Sequence, residues 1–322
     1  MRQKALRGLR KYQELVRPPV EVQSTVLARC GNARLLRINS EPTAASPPVI
    51  LIPSLINSHR ILDLSERTSL ARHLVEAGFD PMLVDWGSPD TANGGLDLAS
   101  HVTHRLVPLL RSMDRPPILV GYCLGGTLTL AAARLVSARA VVTIATPWHF
   151  DRYPKADLAL IGKIWTDAKP LCSQLGYLPM EVMQTGFWAL DARRTIRKYA
   201  DFADADAGSE QENAFLAVED WANEGEPLSF AAARDLFEGL YIGNMSGTGN
   251  WCVGGTIASP EGLPCPTLSI RSGTDRIVPA TASPELEENL VSALGHVGMI
   301  VSARAREQIW KPLSEWLSAL TQ

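Results

Sequence analysis

Three residues in this chain have the types and the order that covalent catalysis requires. Cys123 stands in Gly121-Tyr-Cys-Leu-Gly-Gly126, Asp275 closes Pro266-Thr-Leu-Ser-Ile-Arg-Ser-Gly-Thr-Asp275, and His296 lies in Leu294-Gly-His-Val-Gly298. A thiol attacks well only as its thiolate, and an imidazole that takes the proton supplies that state. A carboxylate behind the imidazole holds its orientation and stabilises its charged form. The chemistry that follows is acyl transfer, with Cys123 as nucleophile, His296 as base and Asp275 as the partner of the base. A tetrahedral intermediate also needs donors for its oxyanion. The backbone N–H of Leu124, next to the nucleophile, and that of Leu55, in the loop Pro53-Ser-Leu-Ile56, are the expected pair.

Such a cysteine has to sit in a sharp turn. The apolar run 118–120 leads into the glycine-rich box, and Leu128-Thr-Leu-Ala-Ala-Ala-Arg-Leu135 follows it with helix-forming residues. Strand, turn and helix in that order make a nucleophile elbow, whose helix N-terminus favours the thiolate. Gly121 and Gly125 are expected to free the backbone for the turn. Further apolar runs at 49–52, 82–84 and 141–145 alternate with amphipathic segments. One helix is expected from an N-cap at Ser65 to Ala77 with Gly78 as its stop, and a second from Leu96 to Met113. Ahead of them, residues 20–26 and 35–38 read as a hairpin turning at Gly31-Asn32. Asp85, in Val84-Asp-Trp-Gly87, ends a strand but precedes the nucleophile, so it is read as ordering a loop.

This alternation implies a mostly parallel central sheet with right-handed crossovers and helices on both faces. With nucleophile, acid and histidine in that order, it predicts an α/β-hydrolase fold. From Trp148 to Trp251 the alternation stops, and helices broken by Pro, Gly and acidic residues take over. They read as an inserted helical cap, dividing the chain into 1–147 (an N-terminal helix and the first part of the core), 148–258 (the cap) and 259–322 (the rest of the core). Trp148, Trp188 and Trp221 are the aromatics expected near an apolar tunnel over Cys123. The stretch 290–294 is compatible with strand or helix, and a last helix runs from Ala303 to Leu320.

Of the six histidines, His59, His73, His101, His104 and His149 fall on helices, in an early loop or at the cap entry. Only His296 follows the last strand region. A net charge of −3 offers no case for nucleic acid. No apolar run reaches transmembrane length. Five cysteines without a CxxC pair argue for a reducing, cytoplasmic setting. No metal spacing and no dinucleotide or phosphate loop is present, so no cofactor is expected. Residues 1–17 carry six basic side chains at helical spacing with Leu6, Leu9, Tyr12 and Val16. They read as a basic amphipathic helix packed on the domain, with docking to a partner or an anionic surface as the alternative.

The chain resembles the polyhydroxyalkanoate synthases, and specifically the short catalytic subunits of the two-component type. Leu55-Ile-Asn57, Asp63-Leu64 and Ser69-Leu70 are similar to the family's LVN, DL and SL; Val84-Asp-Trp-Gly-Ser-Pro-Asp90 with Leu96-Asp97 is similar to its IDWGYPD and TLDDY. Gly121-Tyr-Cys-Leu-Gly-Gly126 matches its lipase-like box with cysteine for serine, Phe215-Leu-Ala-Val-Glu-Asp-Trp221 its FLRMEKW, and Gly295-His-Val-Gly298 its GHIG. Two features depart from the pattern: Arg276 stands where many synthases have histidine, and the acidic segment 201–212 has no counterpart.

The resemblance implies a Cys-His-Asp acyltransferase that takes 3-hydroxyacyl groups from coenzyme A and passes them to a growing polyester. It implies a second synthase subunit or a homodimer as possible partners, and a cytoplasmic location at a polyester granule. A cysteine suits that task, because a thioester exchanged for a thioester stays activated for attack by a hydroxyl. The alternative is a cysteine hydrolase acting on thioesters, esters or an intracellular polyester.

Overall fold

Apolar runs without a polar face can only be buried on both sides, and four of them make the middle of the sheet. The computed structural model describes residues 1–17, 24–38, 46–89, 95–190 and 192–320. Among the described residues, the central sheet has eight strands: β1 Ser24–Cys30, β2 Ala33–Ile38, β3 Pro48–Ile52, β4 Asp80–Asp85, β5 Ile118–Tyr122, β6 Ala140–Ile144, β7 Thr267–Ser272 and β8 Glu288–Ser292. They lie in the order β1-β2-β4-β3-β5-β6-β7-β8. The pairs β1/β2 and β2/β4 are antiparallel and the rest are parallel. Every residue of β3 to β6 is buried, whereas β1 alternates and β8 is largely exposed, as edge strands with one wet face must be. The stretch left open between strand and helix is therefore strand up to Ser292, in register with β7.

The hairpin β1–β2 turns at Gly31, whose φ of +57° opens a two-residue loop. The expected residues 20–23 of its first strand lie outside the described residues. On β2, Arg37 donates to Asp80 at 2.9 Å and Arg34 pairs with Asp85, tying the antiparallel edge to the parallel core.

Three helix expectations need correction. The first helix spans Leu70–Glu76 and is capped by Ser69, whose Oγ accepts from Arg72 N–H at 2.9 Å. Ser65 instead accepts from Thr68 N–H in the tight turn just before. Gly78, at φ +89°, follows the helix as expected. The segment read as a continuous helix from Leu96 starts at Leu98 after the N-cap Asp97 and widens into a π turn over Val102–Leu106. The last helix does the same over Arg306–Trp310 before continuing as Lys311–Ala319. In both cases a proline follows, Pro108 or Pro312. A proline ring crowds the carbonyl one turn back and offers no N–H, and a one-residue expansion relieves both.

Between β6 and β7 the chain leaves the sheet for the cap. Helices Lys155–Leu175, Met180–Leu190, Ala192–Phe202 and Glu210–Asn223 come first, and Phe230–Arg234 then runs into a wide turn over Asp235–Ile242. Trp221 N–H donates to Ser58 O at 2.8 Å, so the helix Glu210–Asn223 is pinned to the loop after β3.

The basic N-terminal helix, Arg2–Glu14, packs on Ala192–Phe202. Its charges find the acidic segment: Lys4 and Arg7 pair with Asp204, Lys11 with Glu212 at 2.7 Å, and Tyr12 donates to Asp220 at 2.7 Å. Burial and the Asp220 carboxylate push the Tyr12 phenol up to about 12. Exposed pairs contribute little each, and the close approach comes from Gly8, where a Cβ would lie 1.9 Å from Tyr199 O. Among the described residues no helix is long and apolar enough to cross a membrane.

Gly8→Ala should therefore force the helix off the cap at a cost of about 1–3 kcal/mol. Faster amide hydrogen exchange confined to residues 2–14 and 192–202, with the sheet unchanged, is the expected outcome. Unaltered exchange there would mean the contact is soft.

Candidate active site

The sheet brings the three chemical residues to one edge, because parallel strands point their carboxyl ends the same way. Cys123 follows β5 at the centre and caps the helix Leu124–Ala132; Asp275 follows β7, and His296 follows β8. Cys123 has φ +54° and ψ −131°, a conformation that costs roughly 1–3 kcal/mol unless its surroundings impose it. Its N–H donates to Ile144 O at 2.9 Å and its carbonyl accepts from Gly126 N–H at 2.9 Å.

The glycines of the box do a different task from the one their sequence suggests. Neither Gly121 nor Gly125 has positive φ; the left-handed residue is Cys123 itself. A Cβ on Gly121 would come within 2.4 Å of Gly126 Cα, one on Gly125 within 2.3 Å of Ile52 O, and one on Gly126 within 1.9 Å of Thr146 Oγ1. The glycines let the helix press against three strands at once, and that pressure holds the cysteine in its turn.

His296 Nδ1 lies 2.7 Å from Asp275 Oδ2, with both side chains almost wholly buried. The other carboxylate oxygen, Oδ1, accepts from Ile277 N–H at 2.8 Å and Val278 N–H at 2.9 Å, so the acid cannot swing away. Cys123 lines the same cavity as the imidazole. Burial opposes a charge on the ring, but Asp275 and Cys123 more than offset it and push His296 up to about 10. Tyr122 packs its ring 5.3 Å from that of His296. Burial drives the Tyr122 phenol upward, so it remains neutral.

A cavity of about 500 Å³ opens at Cys123 and His296. The core supplies Ser54, Asn57 and Arg276, and the cap covers it with Trp188, Phe215 and Trp221. Leu55 is buried in the loop after β3, and Leu124 is buried at the first position of the helix. Gly125 makes its close approach to Ile52 and Pro53, so the two backbone segments that carry Leu55 and Leu124 adjoin.

Other expectations sort plainly. Among the described residues, His296 alone of the six histidines lines the cavity. His73 packs on Trp310 and faces Ser314, His101 bonds Asp97 O, and His59 stands 3.4 Å from Asp85. Asp85 also accepts from Gly87 N–H at 3.0 Å, which fixes the loop it was expected to order. Trp188 and Trp221 reach the cavity, but Trp148 does not: its N–H donates to Ala282 O and its ring is buried near Trp251. Sequence reasoning missed the packing role of Tyr122 and a polar pair in the cap wall. There, Lys198 bonds the buried Glu219 at 2.6 Å, and Tyr199 O–H donates to the same carboxylate at 2.7 Å. The one available signal was helical spacing, Arg194-Thr195 one turn before Lys198.

Known proteins similar to this chain fall into two groups. A poly(3-hydroxyalkanoate) polymerase subunit of Haloferax mediterranei is 29% identical, over 91% of this chain and 63% of its own length. One of Allochromatium vinosum is 27% identical, over 88% of this chain and 83% of its own. The chain thus spans less than two thirds of the first of these relatives and most of the second. Among solved structures, a Nitrososphaera gargenis carboxylesterase superposes with a TM-score of 0.54 at 16% identity, over 92% of this chain and 99% of its own. The monoacylglycerol lipase of Paleococcus ferrophilus gives 0.52 at 16%, over 85% and 96%. At such identities the likeness concerns fold alone. The family model described as the alpha/beta hydrolase family matches residues 49–306, which include the elbow, the acid and the histidine: this chain belongs to that family.

Proposed function

We infer that this protein is a polyester synthase, which transfers 3-hydroxyacyl groups from coenzyme A to Cys123 and then to the hydroxyl end of a growing chain. The observation that carries the reading is a cysteine at the elbow of a chain whose similar proteins are polymerase subunits along most of its length. A thiol accepts an acyl group from a thioester without discarding its activation.

In the first step Cys123 Sγ attacks the thioester carbonyl carbon, and the bond from that carbon to the coenzyme A sulfur breaks. The leaving sulfur takes the proton that His296 holds, so the products are acyl-cysteine and free coenzyme A thiol. The backbone N–H groups of Leu55 and Leu124 stabilise the oxyanion formed on the way. In the second step His296 accepts the proton of a chain-end hydroxyl as that oxygen attacks the acyl-cysteine. The new ester bond forms, the thiol of Cys123 is restored, and the polymer is longer by one unit. Asp275 holds the imidazole for both transfers. The cap excludes water from the thioester between steps. A cytoplasmic site at a polyester granule, with a second subunit or a homodimer, belongs to the same reading.

Cys123→Ala should retain its fold by circular dichroism and lose turnover by a factor on the order of 10⁴ or more. With 3-hydroxybutyryl-CoA and intact protein, mass spectrometry should find oligomeric ester on Cys123 or released as polymer. Free 3-hydroxybutyrate at one equivalent per coenzyme A released, unchanged by a cognate second subunit, would make the protein a thioesterase instead.

The raised His296 sets the direction of a pH test. Asp275 is the larger of the two charges that hold the imidazolium, so Asp275→Asn lowers the ring's affinity for its proton. Histidine ring resonances followed by NMR should show His296 losing its proton at lower pH in this variant than in the parent protein. An unmoved titration would remove Asp275 from the couple.

A further inference from the structure

A second hollow, a groove open to solvent along one side, shares a wall with the catalytic cavity. It measures about 330 Å³ and lies between the N-terminal helix, which supplies Ala5, Leu6 and Leu9, and the cap, which supplies Ile196 and Tyr199. Trp188 and Thr195 line both this hollow and the cavity at Cys123. Trp188 is 43% exposed, which is unusual for the largest apolar side chain and accords with a ring that faces two spaces.

The character of the lining narrows what it could hold. Apart from Arg2 at one end, the helix turns apolar side chains to the hollow, while its basic side chains go to Asp204 and Glu212. Among the described residues no carboxylate lines it. A cationic guest would lose its water without a charged partner among these residues, and an anion would find only Arg2 at the far end, whereas an aliphatic chain gains from burial along the apolar stretch. The volume falls in the range of small-molecule pockets, about 300–1,000 Å³.

We propose that this chamber receives the aliphatic part of an acyl chain carried on Cys123, passing beside Trp188, so that the N-terminal helix is a wall of the acyl-binding site. The proposal rests on Cys123 as the acyl acceptor. It gives the basic helix a direct part in chain-length selection: a short acyl group stays within the catalytic cavity, and a longer one crosses to the chamber.

The test reads alkylation of Cys123 by peptide mass mapping after treatment with iodoacetamide and its N-hexyl and N-dodecyl derivatives. Labelling of the exposed Cys252 in the same digest corrects for the probes' own hydrophobicity. Relative to Cys252, the Cys123 rate should climb with chain length, by up to about fourfold per methylene that reaches the chamber. Ala5→Trp should fill the hollow and erase that gain for the dodecyl probe, leaving iodoacetamide labelling unchanged. Leu9→Ala should enlarge it and favour the dodecyl probe further, and it guards against a misfolded Ala5→Trp. Rates independent of length, or a length dependence that both variants leave intact, would overturn the chamber while sparing Cys123. Failure of iodoacetamide itself to label Cys123 would overturn the acyl-acceptor reading, and the chamber with it.

Discussion

Everything in the site depends on one residue held in a conformation it would not choose. Cys123 sits at φ +54° because the helix behind it has no room to retreat: Gly125 abuts Ile52 and Pro53, and Gly126 abuts Thr146. The strain, on the order of 1–3 kcal/mol, is outweighed by burial of the entire helix Leu124–Ala132. Relaxing the turn would rotate the sulfur away from the imidazole and carry Leu124 N–H with it. The proposed nucleophile and oxyanion donor are thus set by one constraint, and a substitution at any of the three glycines would disturb both.

The second requirement is dryness. His296 and Asp275 are both nearly inaccessible, and the cap supplies the aromatic cover. The cap is not free to drift, because Trp221 is hydrogen-bonded to the loop after β3, next to the proposed oxyanion donor Leu55. The proposed thioester intermediate would need such cover, because hydrolysis would waste the acyl activation that chain growth uses. Burial alone would strip the proton from His296; the carboxylate and the sulfur reverse that preference.

Much of this was legible in sequence because the relevant signals are local. Strands β3, β5 and β6 are buried on both faces and so read as unbroken apolar runs. The elbow reads as glycines around a nucleophile, and the acid and histidine follow in chain order. What failed to show was non-local or degenerate. Ser65 and Ser69 offer similar caps, and the packing of Leu70 and Leu74, both wholly buried, decides between them. The π turns before Pro108 and Pro312 leave the hydrophobic pattern almost unchanged. Trp148 stands at the cap entry in sequence, yet a backbone bond to Ala282 draws it into the core. The acidic stretch around Asp204 made no sense alone, because its partner is the basic helix at the other end of the sequence.

That last pairing has a consequence for the order of events during synthesis. The contacts Arg7–Asp204, Tyr12–Asp220 and Arg17–Asp220 join residues separated by 197, 208 and 203 positions. The helix is synthesised before the cap and finds its seat only after the cap has been made. Until then its apolar face has nothing to cover it, and long-range closure of this kind is slow. Its density of positive charge, neutralised late, keeps that waiting segment hydrated and out of premature association.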